Sequence, residues 1–96
     1  MKIRVTAKNY PQEVLRSETP VLVEFFAVWC GKCAMMEDVL DEIAKEYDGR
    51  VKVCQIEIEE CEVGIVPAFV VFRDGKPVNY ANGVLAKDVL IRMLEI

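Results

Sequence analysis

Apolar residues run along this chain in two rhythms, one of period two and one of three to four, and their order predicts a mixed α/β domain. Lys2 to Ala7 sets Ile3 and Val5 against Lys2, Arg4 and Thr6, the pattern of a short strand with one wet face. Pro11 is placed to open a short helix over Gln12 to Ser17, with Asn9 as its cap. After Pro20 the run Val21 to Val28 is apolar on both alternating faces except at Glu24, as expected of a central parallel strand covered above and below. From Lys32 to Asp48 the residues Met36, Val39, Leu40, Ile43 and Tyr47 recur at helical spacing, charged residues fill the other face, and Gly49 ends the helix. Val51 to Ile58 is a strand by its β-branched content, and the strand, helix, strand order implies a right-handed crossover. Ala68 to Phe72, the turn Arg73-Asp74-Gly75-Lys76, and Pro77 to Ala81 form an antiparallel hairpin. Ala86 to Leu94, with Val89, Leu90 and Met93 in register, closes the chain as an amphipathic helix. The sum is a central mixed β-sheet with a parallel core pair, a hairpin, and helices on both faces.

Composition narrows the function. The 96 residues make one domain spanning 1–96, and 53% apolar with 29% charged residues is the balance of a chain that folds. A net charge of −4 with dispersed acidic residues offers no basic patch, so nucleic acid is not an expected partner. There is no histidine, which removes imidazole as general base or metal ligand. The stretch Val63 to Phe72, interrupted by Gly64 and Pro67, is too short to cross a bilayer, and the first residues lack the apolar core of a secretory signal. The expectation is a cytoplasmic protein with no membrane attachment.

The candidate chemistry lies in Trp29-Cys30-Gly31-Lys32-Cys33, where the central strand gives way to the long helix. The carboxyl edge of a parallel sheet is where sites are built, and a helix start there presents unpaired N–H groups. A thiolate at Cys30 would gain roughly 1 to 2 kcal/mol from that setting, with Lys32 adding to the effect. Cys30 is then the nucleophile in disulfide exchange. Cys33, one turn further in, is the less exposed partner that attacks the mixed disulfide and releases reduced product. Two other readings stand beside this one. The pair is either unreactive, or part of a zinc site with Cys54 and Cys61. The second is disfavoured by the wide spacing of that second pair and by the place of Cys54 inside a strand. No metal is expected.

The segment Val21-Leu22-Val23-Glu24-Phe25-Phe26-Ala27-Val28-Trp29-Cys30-Gly31-Lys32-Cys33 resembles the active-site strand and turn of the thioredoxin family. The resemblance continues through Leu40 to Ala44, Val66-Pro67-Ala68 and Phe72 to Gly75, nearly the whole chain. It implies a thioredoxin fold and a thiol–disulfide oxidoreductase that reduces protein disulfides without a bound cofactor. Its partners would be disulfide-bearing proteins and an external reductase as donor, and it would act as a monomer. It also implies that Pro67 is cis, although a proline opening a strand is ordinarily trans. The substrate groove would be walled by Trp29, Gly31, Lys32, Val66, Pro67, Gly83 and Val84 and would bind extended chains through backbone hydrogen bonds. Glu24 would exchange a proton with Cys33, its acidity weakened by burial; the plain alternative is a side chain reaching water at the strand's end.

Departures from the family are visible. Glu24 stands where aspartate is usual, and Lys32 replaces the motif's proline, which should make the couple more oxidising by tens of millivolts at about 30 mV per 1.4 kcal/mol. Gln55 replaces a lysine near the buried acid. The stretch from Ile58 to Pro67 is shorter by roughly two helical turns, so the helix before the proline is shortened or missing. Cys54 is expected to be a buried small hydrophobe and Cys61 an ordinary surface thiol. One of Met35 and Met36 fills the core and the other lies near the site. The site also suits an oxidase or isomerase, and the fold suits a binding module with an idle dithiol.

Overall fold

A computed structural model describes residues 1–59 and 65–96. Among these residues its sheet has five strands, β1 Lys2–Val5, β2 Val21–Phe26, β3 Lys52–Glu57, β4 Ala68–Arg73 and β5 Lys76–Asn82, in the order β1-β3-β2-β4-β5. β3 pairs in parallel with both β1 and β2, whereas β4 runs antiparallel to β2 and to β5. β2 therefore lies inside the sheet, flanked by β3 and β4, as its two apolar faces require.

Among the described residues three α-helices accompany the strands, α1 Gly31–Met35, α2 Glu37–Glu46 and α3 Lys87–Leu94. Leu40, Ile43 and Ala44 of α2 and Leu90, Met93 and Leu94 of α3 pack on Leu22, Val53, Phe69 and Val71 of one sheet face. The opposite face buries Val5, Val21, Val23, Cys54 and Phe72 against Val14, carried on a short π-helical turn at Pro11–Leu15. A third cluster, Phe26, Ala27, Cys33 and Val66, sits at the carboxyl end of β2. The α/β class and the mixed sheet with helical cover on both faces agree with the sequence reading, and the parallel part contains three strands rather than two.

Several details differ. The single helix expected over Lys32 to Asp48 is broken at Met36, where the Met36 N–H bonds the Cys33 carbonyl three residues back at 3.1 Å before α2 resumes. No proline or glycine marks the break. Met36 is fully buried with Leu40 and Ile43, so the apolar face keeps its helical register through the break. Asn9 does not cap the first helix. Its Oδ1 accepts the Thr6 N–H at 2.7 Å and its Nδ2 donates to the Arg4 carbonyl at 3.1 Å, closing the turn after β1 instead. That helix is also one wide turn, closed by the Arg16 N–H on the Pro11 carbonyl at 2.9 Å, rather than a helix reaching Ser17. The hairpin turns through Asp74 and Gly75, both at positive φ, the tight two-residue connection its sequence promised. The expectation for the segment before Pro67 falls largely on residues 60–64, outside the described residues. No helix among the described residues is long and apolar enough to cross a membrane.

Candidate active site

Cys30 occupies the residue where the chain leaves β2 for α1. Its backbone is extended (φ −93°, ψ 108°), its N–H bonds the Ala27 carbonyl at 3.2 Å, and it forms the N-cap of α1. In that position its Sγ accepts the Cys33 N–H at 3.1 Å, the role a serine or aspartate oxygen usually fills at a helix start. Its thiol also donates to the Val66 carbonyl at 3.7 Å.

Cys33 lies one turn deeper and is only 4% exposed, packed against Phe26, Ala27 and Val66. Burial pushes its thiol up to about 12, the hydrogen bond and charge of Cys30 and the charge of Glu24 push the same way, and a backbone hydrogen bond with Ala27 opposes them. The two sulfurs thus stand in unlike surroundings: Cys30 is half-buried at the rim and Cys33 is sealed.

The Val66-Pro67 peptide is cis, as the resemblance implied. Pro67 is buried, and its carbonyl accepts the Gly83 N–H at 2.8 Å, which brings the loop carrying Gly83 and Val84 beside it. Gly83 sits at φ +91°, open to glycine and strained for other residues. Val66 is drawn to Cys30 through its carbonyl, while Trp29 and Val84 are exposed. Gly31 and Lys32 begin α1 on its exposed side. The sequence reading did not include Val28 and Ile65 in the groove. Both are large exposed apolar residues adjoining Trp29 and Val66, as Met35 is just beyond Cys33. Met36 is the core methionine and Met35 the exposed one.

Glu24 does not reach water. It is fully buried, opposite Gln55 on β3 and Phe69 on β4. Its Oε1 accepts a hydrogen bond from Gln55 Nε2 at 2.8 Å, and its Oε2 is buried with no partner among the described residues. Burial raises the acid to about 7, the Gln55 bond opposes this, the charge of Glu37 adds to it, and that of Lys2 opposes it. Gln55 Nε2 donates a second time, to Glu37 Oε1 at 3.0 Å, and Glu37 in turn is bonded by Lys2, which also pairs with Asp41 at 3.1 Å. Burial works against the Lys2 ammonium, yet its two carboxylate partners hold it above its ordinary value. Glu37 is pushed up by burial but brought below the usual range by Lys2 and Gln55. The replacement of a lysine by Gln55 therefore does not leave the buried acid without a nearby cation. Sequence reasoning missed Lys2 and Glu37, which it assigned to wet faces.

Cys54 is completely buried in the cluster with Val5, Val14, Val21, Val23 and Phe72, and burial raises its thiol to about 11. It belongs to a different core cluster from Cys33, which removes the geometric basis of a zinc site shared with Cys30 and Cys33. Cys61 lies outside the described residues.

The family model described as thioredoxin matches residues 1–96. Thioredoxin 1 of Nostoc sp. is 39% identical over 99 aligned positions, covering 96% of this chain and 92% of that protein. Thioredoxin of Pseudomonas aeruginosa is 37% identical over 100 positions, covering 97% of this chain and 93% of its own. Thioredoxin of Rickettsia felis is 39% identical, with 95% and 93% covered.

Proposed function

The chain belongs to the thioredoxin family and is a thiol–disulfide oxidoreductase that reduces protein disulfides, and on that premise we propose that Cys30 is its nucleophile, Cys33 its resolving thiol and Glu24 the proton acceptor for Cys33. The observation that carries the reading is the contrast between the two sulfurs. Cys30, at the rim, receives the Cys33 N–H at 3.1 Å, while Cys33 is sealed beneath it and feels the charge of the buried Glu24 carboxyl.

The steps follow from that arrangement. Cys30 sulfur, as thiolate, attacks one sulfur of the substrate disulfide; the other substrate sulfur leaves as a thiolate and takes up a proton. The Cys30–substrate mixed disulfide is now within reach of Cys33, whose thiol is held protonated by burial. Glu24, its acidity weakened by burial to about 7, takes the Cys33 proton. Cys33 sulfur then attacks Cys30 sulfur, closes the intramolecular disulfide and expels the second substrate thiolate. Two electrons have passed from the dithiol to the substrate. A disulfide-bearing chain would lie extended over Trp29, Gly31, Lys32, Val66, Pro67, Gly83 and Val84, with Val66 offering backbone groups. An external reductase returns the electrons. In this reading the working unit is a monomer, acting in the cytoplasm without a bound cofactor.

Insulin reduction with dithiothreitol as donor tests the assignment. Cys30→Ser should abolish catalysis, Cys33→Ser should abolish turnover, and Cys54→Ala should leave the rate within about twofold. Retained catalysis in Cys30→Ser would overturn it.

A further inference from the structure

The buried acid of this chain is held from a distance. Gln55 has one side-chain NH2 group, and both of its hydrogens are committed, one to Glu24 at 2.8 Å and one to Glu37 at 3.0 Å. Glu37 thus fixes which end of the Gln55 amide faces Glu24: the donor end. With Oε1 engaged in that way, the unpartnered Oε2 of Glu24 is the oxygen left to hold or release a proton. Glu37 lies in the first turn of α2 and is half-exposed, so this arrangement runs from the surface to the interior across β3.

We propose that Glu37 is a positioning residue for Glu24, and that with Lys2 it forms a charge pair which, through the amide of Gln55, orients the buried carboxyl and decides the pH at which it carries its proton. The inference rests on the reading of Glu24 as the proton acceptor for Cys33. The groups that face Glu24 from the elements around it are Lys2 on β1, Glu37 on α2, Gln55 on β3 and the Cys33 thiol on α1; β4 contributes the uncharged Phe69. Asp41 on α2 enters through Lys2, which it holds at 3.1 Å.

The charge arithmetic gives the proposal a signature that packing alone would not produce. Lys2, Glu37 and Asp41 together carry one net negative charge. Glu37→Gln keeps an acceptor for Gln55 but removes that charge, and Asp41 still anchors Lys2. Lys2→Met leaves two carboxylates uncompensated. The double variant returns to the net charge of the parent.

The experiment is a 13C titration of the Glu24 carboxyl carbon in reduced protein, its resonance assigned by its loss in Glu24→Gln, with amide spectra confirming the fold of each variant. The expected midpoint moves down by roughly half a pH unit or more in Glu37→Gln, up by a similar amount in Lys2→Met, and close to the parent value in the double variant. A midpoint that stays put in both single variants, or moves in the same direction in both, overturns the proposal. The pH profile of insulin reduction is read alongside. If it follows the carboxyl midpoints, both the proposal and the role of Glu24 are supported. If the midpoints shift as expected and the rate profile ignores them, Glu37 still sets the acid, and it is the proton-acceptor role of Glu24 that fails.

Discussion

Glu24 is an ionisable side chain with no exposure in a strand that is otherwise apolar, and one of its oxygens has no partner among the described residues. Burying a carboxylate without full hydrogen bonding disfavours its charge, so the native state binds this proton more tightly than the unfolded chain does. The contribution to stability is fully present below about 4.5, the ordinary value, and is lost as pH rises through about 7. Denaturant unfolding at pH 5 and pH 8 checks the sign. The parent should lose on the order of 2 kcal/mol more stability across that interval than Glu24→Gln, which carries no titrating group there. At this scale the sequence was only partly legible. A glutamate interrupting a two-sided apolar strand announces itself, as do two cysteines at a strand-to-helix junction. Glu37 and Lys2 do not, because each fits the polar face of its own element. Their link to Glu24 exists only once α2 crosses the sheet near β1 and the register sets Gln55 opposite Glu24.

Elements were easier to read where a single local force decides them. The two-sided apolar run of β2, the helical register of α2 and α3 and the Asp74-Gly75 turn all came through, although α1 and α2 read as one helix. The break at Met36 was invisible because no proline or glycine marks it and the apolar register of Met36, Leu40 and Ile43 carries straight through. Asn9 shows the same limit from the other side. Its side chain had two local uses, capping the next turn or closing the previous one, and the sequence does not rank them. The hairpin supplies a test at this scale. Gly75 lies at φ +77°, and a Cβ there would meet the Leu15 carbonyl oxygen at 2.7 Å. Gly75→Ala should therefore lower stability by about 1 to 3 kcal/mol, seen as an earlier thermal midpoint. Because the turn stands at the sheet end remote from Cys30, the insulin-reduction rate per folded molecule should be unchanged.

The whole molecule divides its work between two packed faces and one edge. Cores of aliphatic and aromatic side chains on either side of the sheet hold β2 in place, and the carboxyl end of β2 delivers Cys30 and Cys33 beside a proline loop from the other half of the chain. That convergence of Trp29 to Cys33 with Val66 and Pro67, residues more than thirty positions apart, was available from the sequence only through resemblance to a family, since composition and spacing place no residue against a distant one. The central claim is that the rim sulfur attacks and the sealed sulfur resolves. Mixing Cys33→Ser with an oxidised protein substrate tests it most directly, with intact mass and peptide mapping as the readout. The account predicts a one-to-one adduct joined through Cys30 and released by dithiothreitol, with no adduct in the Cys30→Ser counterpart. An adduct through any other cysteine, or none at all, would contradict it.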